Sequence, residues 1–226
     1  MIGIIGAMQT EVDLLISKIE DAKTKNISGI DFVSGKISGR EVVVAKCGIG
    51  KVFAALSAQT MILEYGVELL INTGVGGAIS SDLEIGDIAV SDFVVQHDMD
   101  TTALGDPAGL ISGINVVKIA ADGDIIASLC TAAERKGARY LVGTIASGDT
   151  FISSAEKKKK IADTFGAVVC EMEGAAIGQV CYVNRVPFCV VRAVSDKADG
   201  SSGVDYMTFV ASAAKKNANV LLEFLK

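Results

Sequence analysis

Val168-Val169-Cys170-Glu171-Met172-Glu173-Gly174-Ala175-Ala176 is the stretch from which the architecture can be read. An apolar run stops abruptly at two carboxylates bracketing a methionine, and small residues follow at once. In an α/β protein the carboxyl end of a buried strand passes into a helix in this way, and ligands bind outside such ends. Carboxylates placed there cost desolvation unless they are hydrogen-bonded or used. Two readings stand side by side. Both acids cap the start of the helix, where the dipole favours negative charge, or they serve a site.

Working outward, strands and helices alternate in both directions. Residues 2–5 read as a buried strand ending at Gly6, and 11–19 as a helix through Val12, Leu15, Ile16 and Ile19. Strands are expected over 30–33 and 41–46, turning at Ser38-Gly39. An Ala-rich helix follows over 52–65, then a strand over 69–72 stopped by Gly74-Val75-Gly76-Gly77. Residues 87–90 and 93–96 read as two strands, and 101–115 as a Gly-rich loop over a site. Helices are expected over 123–135, 155–164, 174–183 and 205–225, and strands over 140–146, 167–170 and 188–194. No linker or repeat interrupts this order. Residues 1–226 are therefore expected to form a single three-layer α/β/α domain with a central mixed β-sheet. The early hairpin argues against an all-parallel sheet.

Composition agrees. The 226 residues suffice for one large core. Half are hydrophobic, only 5% are aromatic and Trp is absent, so the core is aliphatic, as suits strands covered on both faces. A net charge of -6 argues against a nucleic-acid surface. The run Lys157-Lys158-Lys159-Lys160 reads as the solvated face of a helix. The five cysteines are scattered without metal-ligand spacing, and one His cannot complete a Cys/His site, so no metal is expected. Buried free thiols point to a reducing cytosol. No basic leader precedes Glu11 and no apolar run is long enough to span a membrane, so a cytoplasmic protein without membrane association is expected.

Polar or glycine-rich sequence marks five strand exits. They are Gly6-Ala7-Met8, the run from Asn72 to Gly77, the run from Ser147 through Gly148, Asp149, Thr150 and Phe151 to Ile152, Glu171-Met172-Glu173, and Ser195-Asp196. Singly each is weak. The glycine cluster lacks both a dinucleotide fingerprint and a P-loop lysine, and Asp196 could equally cap a helix. Together they converge on one crevice.

With Glu11-Val12, Gly48-Ile49-Gly50-Lys51-Val52 and Arg192-Ala193-Val194, these segments resemble the purine nucleoside phosphorylase-like family. Within it they look like the bacterial nucleosidases for 5′-methylthioadenosine and S-adenosylhomocysteine. The matches run in order from first strand to last and cover essentially the whole chain. Glu11 favours the nucleosidase branch, since the phosphorylases differ there to hold a phosphate.

The resemblance implies hydrolysis of an adenine–ribose bond without metal or cofactor. Asp196 would give a proton to adenine N7 as the general acid. Glu11 would orient and deprotonate the water that adds at C1′. Arg192 would hold Glu11 or the water. Glu173 would grip the ribose hydroxyls, because one carboxylate accepts two hydrogen bonds from a vicinal diol. Met172 would wall the ribose and Phe151 would stack on adenine, although core packing is the reading of both from sequence alone. The main chain at Ile152 would read the adenine edge, and Gly77 would let the backbone approach the ligand. Ser195 completes the implied binding set, and Tyr206 falls in the sugar and alkylthio region. Glu171 is left as a helix-start or structural acid.

The resemblance also implies a homodimer in which the loop over 101–112 reaches the neighbouring site. Two positions depart from the pattern. Val75 stands where relatives carry a serine near the water and ribose, and Leu104 where they carry a phenylalanine. The 5′ substituent is open on both counts. His97, beside Asp98 and Asp100, matches a structural element; its acidic neighbours favour the protonated form. The alternatives are a nucleosidase or phosphorylase for another purine nucleoside, and a silent nucleoside-binding protein.

Overall fold

Strands that are apolar on both faces need cover on both sides, and this fixes the layering. The computed structural model describes all 226 residues. In chain order it forms β1 (Ile2–Gly6), α1 (Gln9–Ile16), β2 (Glu20–Ile27), β3 (Ile30–Ile37), β4 (Arg40–Lys46), α2 (Lys51–Tyr65), β5 (Leu69–Ala78) and β6 (Ile88–Gln96). After a single turn of tighter helix at Thr102–Leu104 come β7 (Ile119–Ala120), α3 (Gly123–Arg135), β8 (Tyr140–Ser147) and α4 (Ala155–Phe165). The chain closes with β9 (Ala167–Glu171), α5 (Gly174–Asn184), β10 (Phe188–Asp196) and α6 (Ser202–Phe224).

Side chains alternate between two cores. Ile2 and Ile4 join Val42, Val44, Ile71, Val191 and the inner faces of α1, α3 and α6. Ile5 joins Val43, Ala45, Leu70, Val190 and the inner faces of α2 and α5. The three-layer arrangement follows directly from this period of two. Hydrogen bonding runs β10-β6-β8-β9-β5-β1-β4-β3-β2. Because β10 also pairs with β5, five of these strands close on one another, while β1, β4, β3 and β2 extend as an arm. The sheet is mixed: β1 is parallel to β4 and β5, whereas β5 and β9 run antiparallel. No helix is long and apolar enough to cross a membrane.

Several boundaries differ from expectation for identifiable reasons. β2 has no hydrophobic pattern; it is an exposed edge strand held by pairing with β3. β5 does not stop at Asn72 but continues through the glycine cluster to Ala78, where neighbouring side chains occupy the space beside the glycines. The two strands expected around Ser91 are one strand with a register irregularity. α1 ends at Ile16 rather than Ile19, and α6 starts at Ser202, ahead of Asp205. The register of β10 on β5 shifts between Val194 and Asp196, which places Asp196 opposite Gly77. A bulge of this kind re-aims a side chain at the end of a strand.

Candidate active site

The carboxyl ends of β1, β5, β9 and β10 surround a cavity of about 370 Å³. Four carboxylates line it (Glu11, Glu171, Glu173 and Asp196) and no Lys or Arg does. Gly77, Phe151, Ile152, Met172, Ser195 and Tyr206 share the lining, so the strand exits marked in the sequence meet at one place.

Glu11 is the third residue of α1 and reaches back to its start. Oε2 accepts the amides of Ala7 at 2.7 Å and Met8 at 2.9 Å, and Oε1 accepts the amide of Val75 at 3.0 Å. This is the position of a capping-box acid, here nearly sealed from solvent. Burial raises its pKa against the opposing pull of Arg192 and the three amides. A carboxylate so raised is a stronger base than one in water. Gly74 leaves the room that Glu11 needs: a Cβ there would lie 3.0 Å from its Cδ.

Glu171 and Glu173 separate cleanly. Glu171 accepts the amides of Glu173 at 3.0 Å and Gly174 at 2.8 Å, and the hydroxyl of Ser147. It also takes the guanidinium of Arg192. It is the structural acid at the start of α5. Glu173 accepts the amide of Gly50 on Oε1 at 2.8 Å, and its Oε2 stands 3.7 Å from Arg192 Nη2. Burial, then the neighbouring charge of Glu171, hold the Glu173 carboxyl above the ordinary range. Arg192 is not part of the lining. It lies behind the acids, 1% exposed, donating to Asn72 and Glu171 and making no direct bond to Glu11. Burial works against its charge, but Glu171, Glu173 and Glu11 keep it ionised.

Asp196 is 2% exposed; Ser195 Oγ donates to its Oδ2 at 2.9 Å and the Ala198 amide to its Oδ1 at 2.8 Å. Gly77 is opposite, and a Cβ there would come within 2.8 Å of Asp196 Oδ1. Its missing side chain therefore makes room for a carboxylate of the protein as well as for a ligand. Phe151 is 45% exposed at the rim and meets Tyr206 edge to face, with centroids 5.6 Å apart. Tyr206 donates its hydroxyl to Met8 Sδ at 3.0 Å. Ile152 is buried in the wall, and Val75 lines the floor without a hydroxyl.

The loop over 101–112 lies outside this cavity in the single chain: Thr102 and Ala108 face a neighbouring one, and Leu104 is 83% exposed. Two points differ from the sequence reading. His97 is tilted toward its neutral form, because burial lowers its pKa more than Asp98 raises it. The Arg192 partners Asn72 and Glu171 were not assigned from sequence, nor was Asn217, which donates to Gly74 O at 2.8 Å and Val191 O at 3.0 Å from α6. Such pairings follow from strand register, and only the buried polar residues themselves signal them.

The model of the phosphorylase superfamily matches residues 1–226. A 5′-methylthioadenosine/S-adenosylhomocysteine nucleosidase of Staphylococcus haemolyticus is 38% identical over 227 residues, covering 100% of this chain and 99% of the relative. The nucleosidase of that name from Neisseria meningitidis, solved with methylthio-immucillin-A, superposes with a TM-score of 0.96 at 34% identity, covering 100% and 98% of the two chains. A futalosine hydrolase of Helicobacter pylori gives a TM-score of 0.94, also at 34% identity, with 99% and 96% covered.

Proposed function

The chain belongs to the phosphorylase superfamily, and we propose that it is a hydrolase of N-glycosidic bonds in 5′-substituted adenine nucleosides. Its substrates are 5′-methylthioadenosine and S-adenosylhomocysteine, and a single catalytic domain spanning residues 1–226 acts without metal or cofactor. One observation carries hydrolysis over phosphorolysis: the cavity is lined by four carboxylates and no cation. A phosphate dianion would be repelled there, whereas water is not.

In this reading Glu11 takes a proton from the water that adds at C1′, and the C1′–N9 bond breaks. Asp196 delivers a proton to N7, so adenine leaves neutral. Glu173 accepts the ribose hydroxyls and stabilises the cationic ribosyl group as charge develops. Phe151 and Met172 pack against base and sugar, Ile152 presents its main chain to the adenine edge, and Ser195 steadies Asp196. Arg192 keeps the acid cluster from repelling itself. Tyr206 closes the sugar end with Met8.

The active form is a homodimer acting in a reducing cytosol. Val52, Phe53, Leu56 and Leu63 on α2, with Tyr182 and Val183 on α5, are exposed apolar side chains on two packed helices. All five cysteines are free.

Adenine release from 5′-methylthioadenosine, S-adenosylhomocysteine and 5′-deoxyadenosine tests the reading, with and without phosphate, and hypoxanthine release from inosine serves as the non-adenine comparison. Release independent of phosphate, without ribose 1-phosphate, is expected from the adenine nucleosides. No release from any of them would refute it. The likeness to a futalosine hydrolase favours one second reading, a nucleoside with a larger 5′ group, and a futalosine-type substrate belongs in the panel.

A further inference from the structure

Apart from the 3.7 Å ion pair to Arg192, the Glu173 carboxylate is held by a single protein donor, the amide of Gly50. That amide lies at the entrance of α2, and what fixes the entrance is a ring of three residues outside the cavity. Asp149 Oδ1 accepts the Lys51 amide at 2.8 Å. Asp98 Oδ2 accepts the Asp149 amide at 2.9 Å. Lys51 Nζ donates to Asp98 Oδ1 at 2.7 Å and closes the ring, with a further bond to Gln96 Oε1 at 3.1 Å.

None of the three lines the cavity, yet each wall they join does. Ile49 stands two residues before Lys51, and Thr150, Phe151 and Ile152 follow Asp149 directly. Gly50 takes φ 101° and ψ 163°, a region open essentially to glycine alone, and a Cβ there would sit 3.0 Å from Asp149 Oδ1. The Lys51 and Asp98 side chains are only 19% and 26% exposed, so their pairing is partly shielded from salt.

We propose that Asp98 and Lys51, acting with Asp149, are positioning residues that set the Glu173 carboxylate through the Gly50 amide. The proposal rests on Glu173 being the sugar-binding group. Opening the ring frees the α2 entrance from the loop after β8. Glu173 then loses its donor and its fixed direction, while Asp196, on the β10 bulge, is untouched. The cost therefore falls on nucleoside binding more than on departure of the base.

The test uses the full-length protein with Asp98→Ala and, separately, Lys51→Met, so that failure of one to fold leaves the other. Amide hydrogen exchange is followed at Gly50 and Lys51, and kinetics with 5′-methylthioadenosine and its 3′-deoxy analogue. Exchange at Gly50 is expected to accelerate about tenfold, the scale of one lost hydrogen bond. KM for the ribonucleoside should rise about tenfold with kcat within about threefold. The 3′-deoxy analogue, lacking a hydroxyl for Glu173, should lose clearly less, and Lys51→Arg should restore both readouts. Unchanged exchange and KM in both ring variants would overturn the proposal, as would a fall in kcat at constant KM. Should the wild type release no adenine, the functional reading falls, and exchange at Gly50 alone decides whether the ring fixes that amide.

Discussion

Asp196 is held by a hydroxyl and an amide, neither of which an amide side chain in its place would displace. Asp196→Asn keeps the volume and an acceptor for Ala198 but has no proton to give. Turnover is expected to fall by about two to four orders of magnitude with ligand affinity nearly intact, measured by adenine release and calorimetry. Turnover near wild type would place the acid elsewhere. Glu173 carries a second consequence. Its pKa is raised in the folded protein, so it contributes stability that is fully present below the ordinary carboxylate value and lost as pH climbs through the raised one. Glu173→Gln removes this dependence. Melting temperatures of variant and wild type, compared from about pH 5 to about pH 9, should shift in the variant's favour as pH rises. A constant difference would show that Glu173 does not titrate anomalously. At this scale the acids were legible because they sit at strand exits, where desolvation makes a carboxylate conspicuous. Their division of labour was not legible in the spacing, which leaves both Glu171 and Glu173 as caps or site groups; only the family resemblance separates Glu171 as the structural acid. That Arg192 bonds Asn72 and Glu171 rather than Glu11 was not legible either, because a long side chain's direction depends on packing that sequence spacing does not encode.

Among the elements, α2 does more than cover a face. Its first turn donates to Glu173 and Asp149, and Gly50 permits the geometry. Gly50→Ala should cost on the order of 1–3 kcal/mol of stability, read from denaturant unfolding, and should weaken nucleoside binding as well. A fully stable variant would mean that the entrance relaxes without strain. The helices were readable from their 3.6-residue spacing and the buried strands from their unbroken apolar runs. β2 escaped because an edge strand facing solvent needs no hydrophobic residues; its partner supplies the order. The length of β5 escaped because glycine ordinarily signals a turn, and here it signals crowding by side chains distant in sequence.

At the scale of the molecule, closure of five strands on one another draws Asp196, Gly77 and Cys170 to one rim. Nothing in a linear sequence announces that β5 has three partners. The outer surface makes its own prediction: the apolar side chains of α2 are covered by a second copy. The wild type should sediment as a dimer, and Leu56→Glu, at the centre of that face, as a monomer. A wild-type monomer with full activity would remove the second copy from the mechanism. The glycines of β5 reach further. Side chains at 74, 76 and 77 would strike Glu11, Val169 and Asp196 respectively, so those places are closed to change. Val75, between them, both lines the cavity and gives its amide to Glu11. Within the run from 74 to 77, only position 75 can therefore change its side chain without a clash of this kind. Val75→Ser exchanges buried methyl groups for a hydroxyl at the floor, and a changed ratio of kcat/KM between 5′-methylthioadenosine and S-adenosylhomocysteine would show that substrate preference is set at position 75; an unchanged ratio would remove that role.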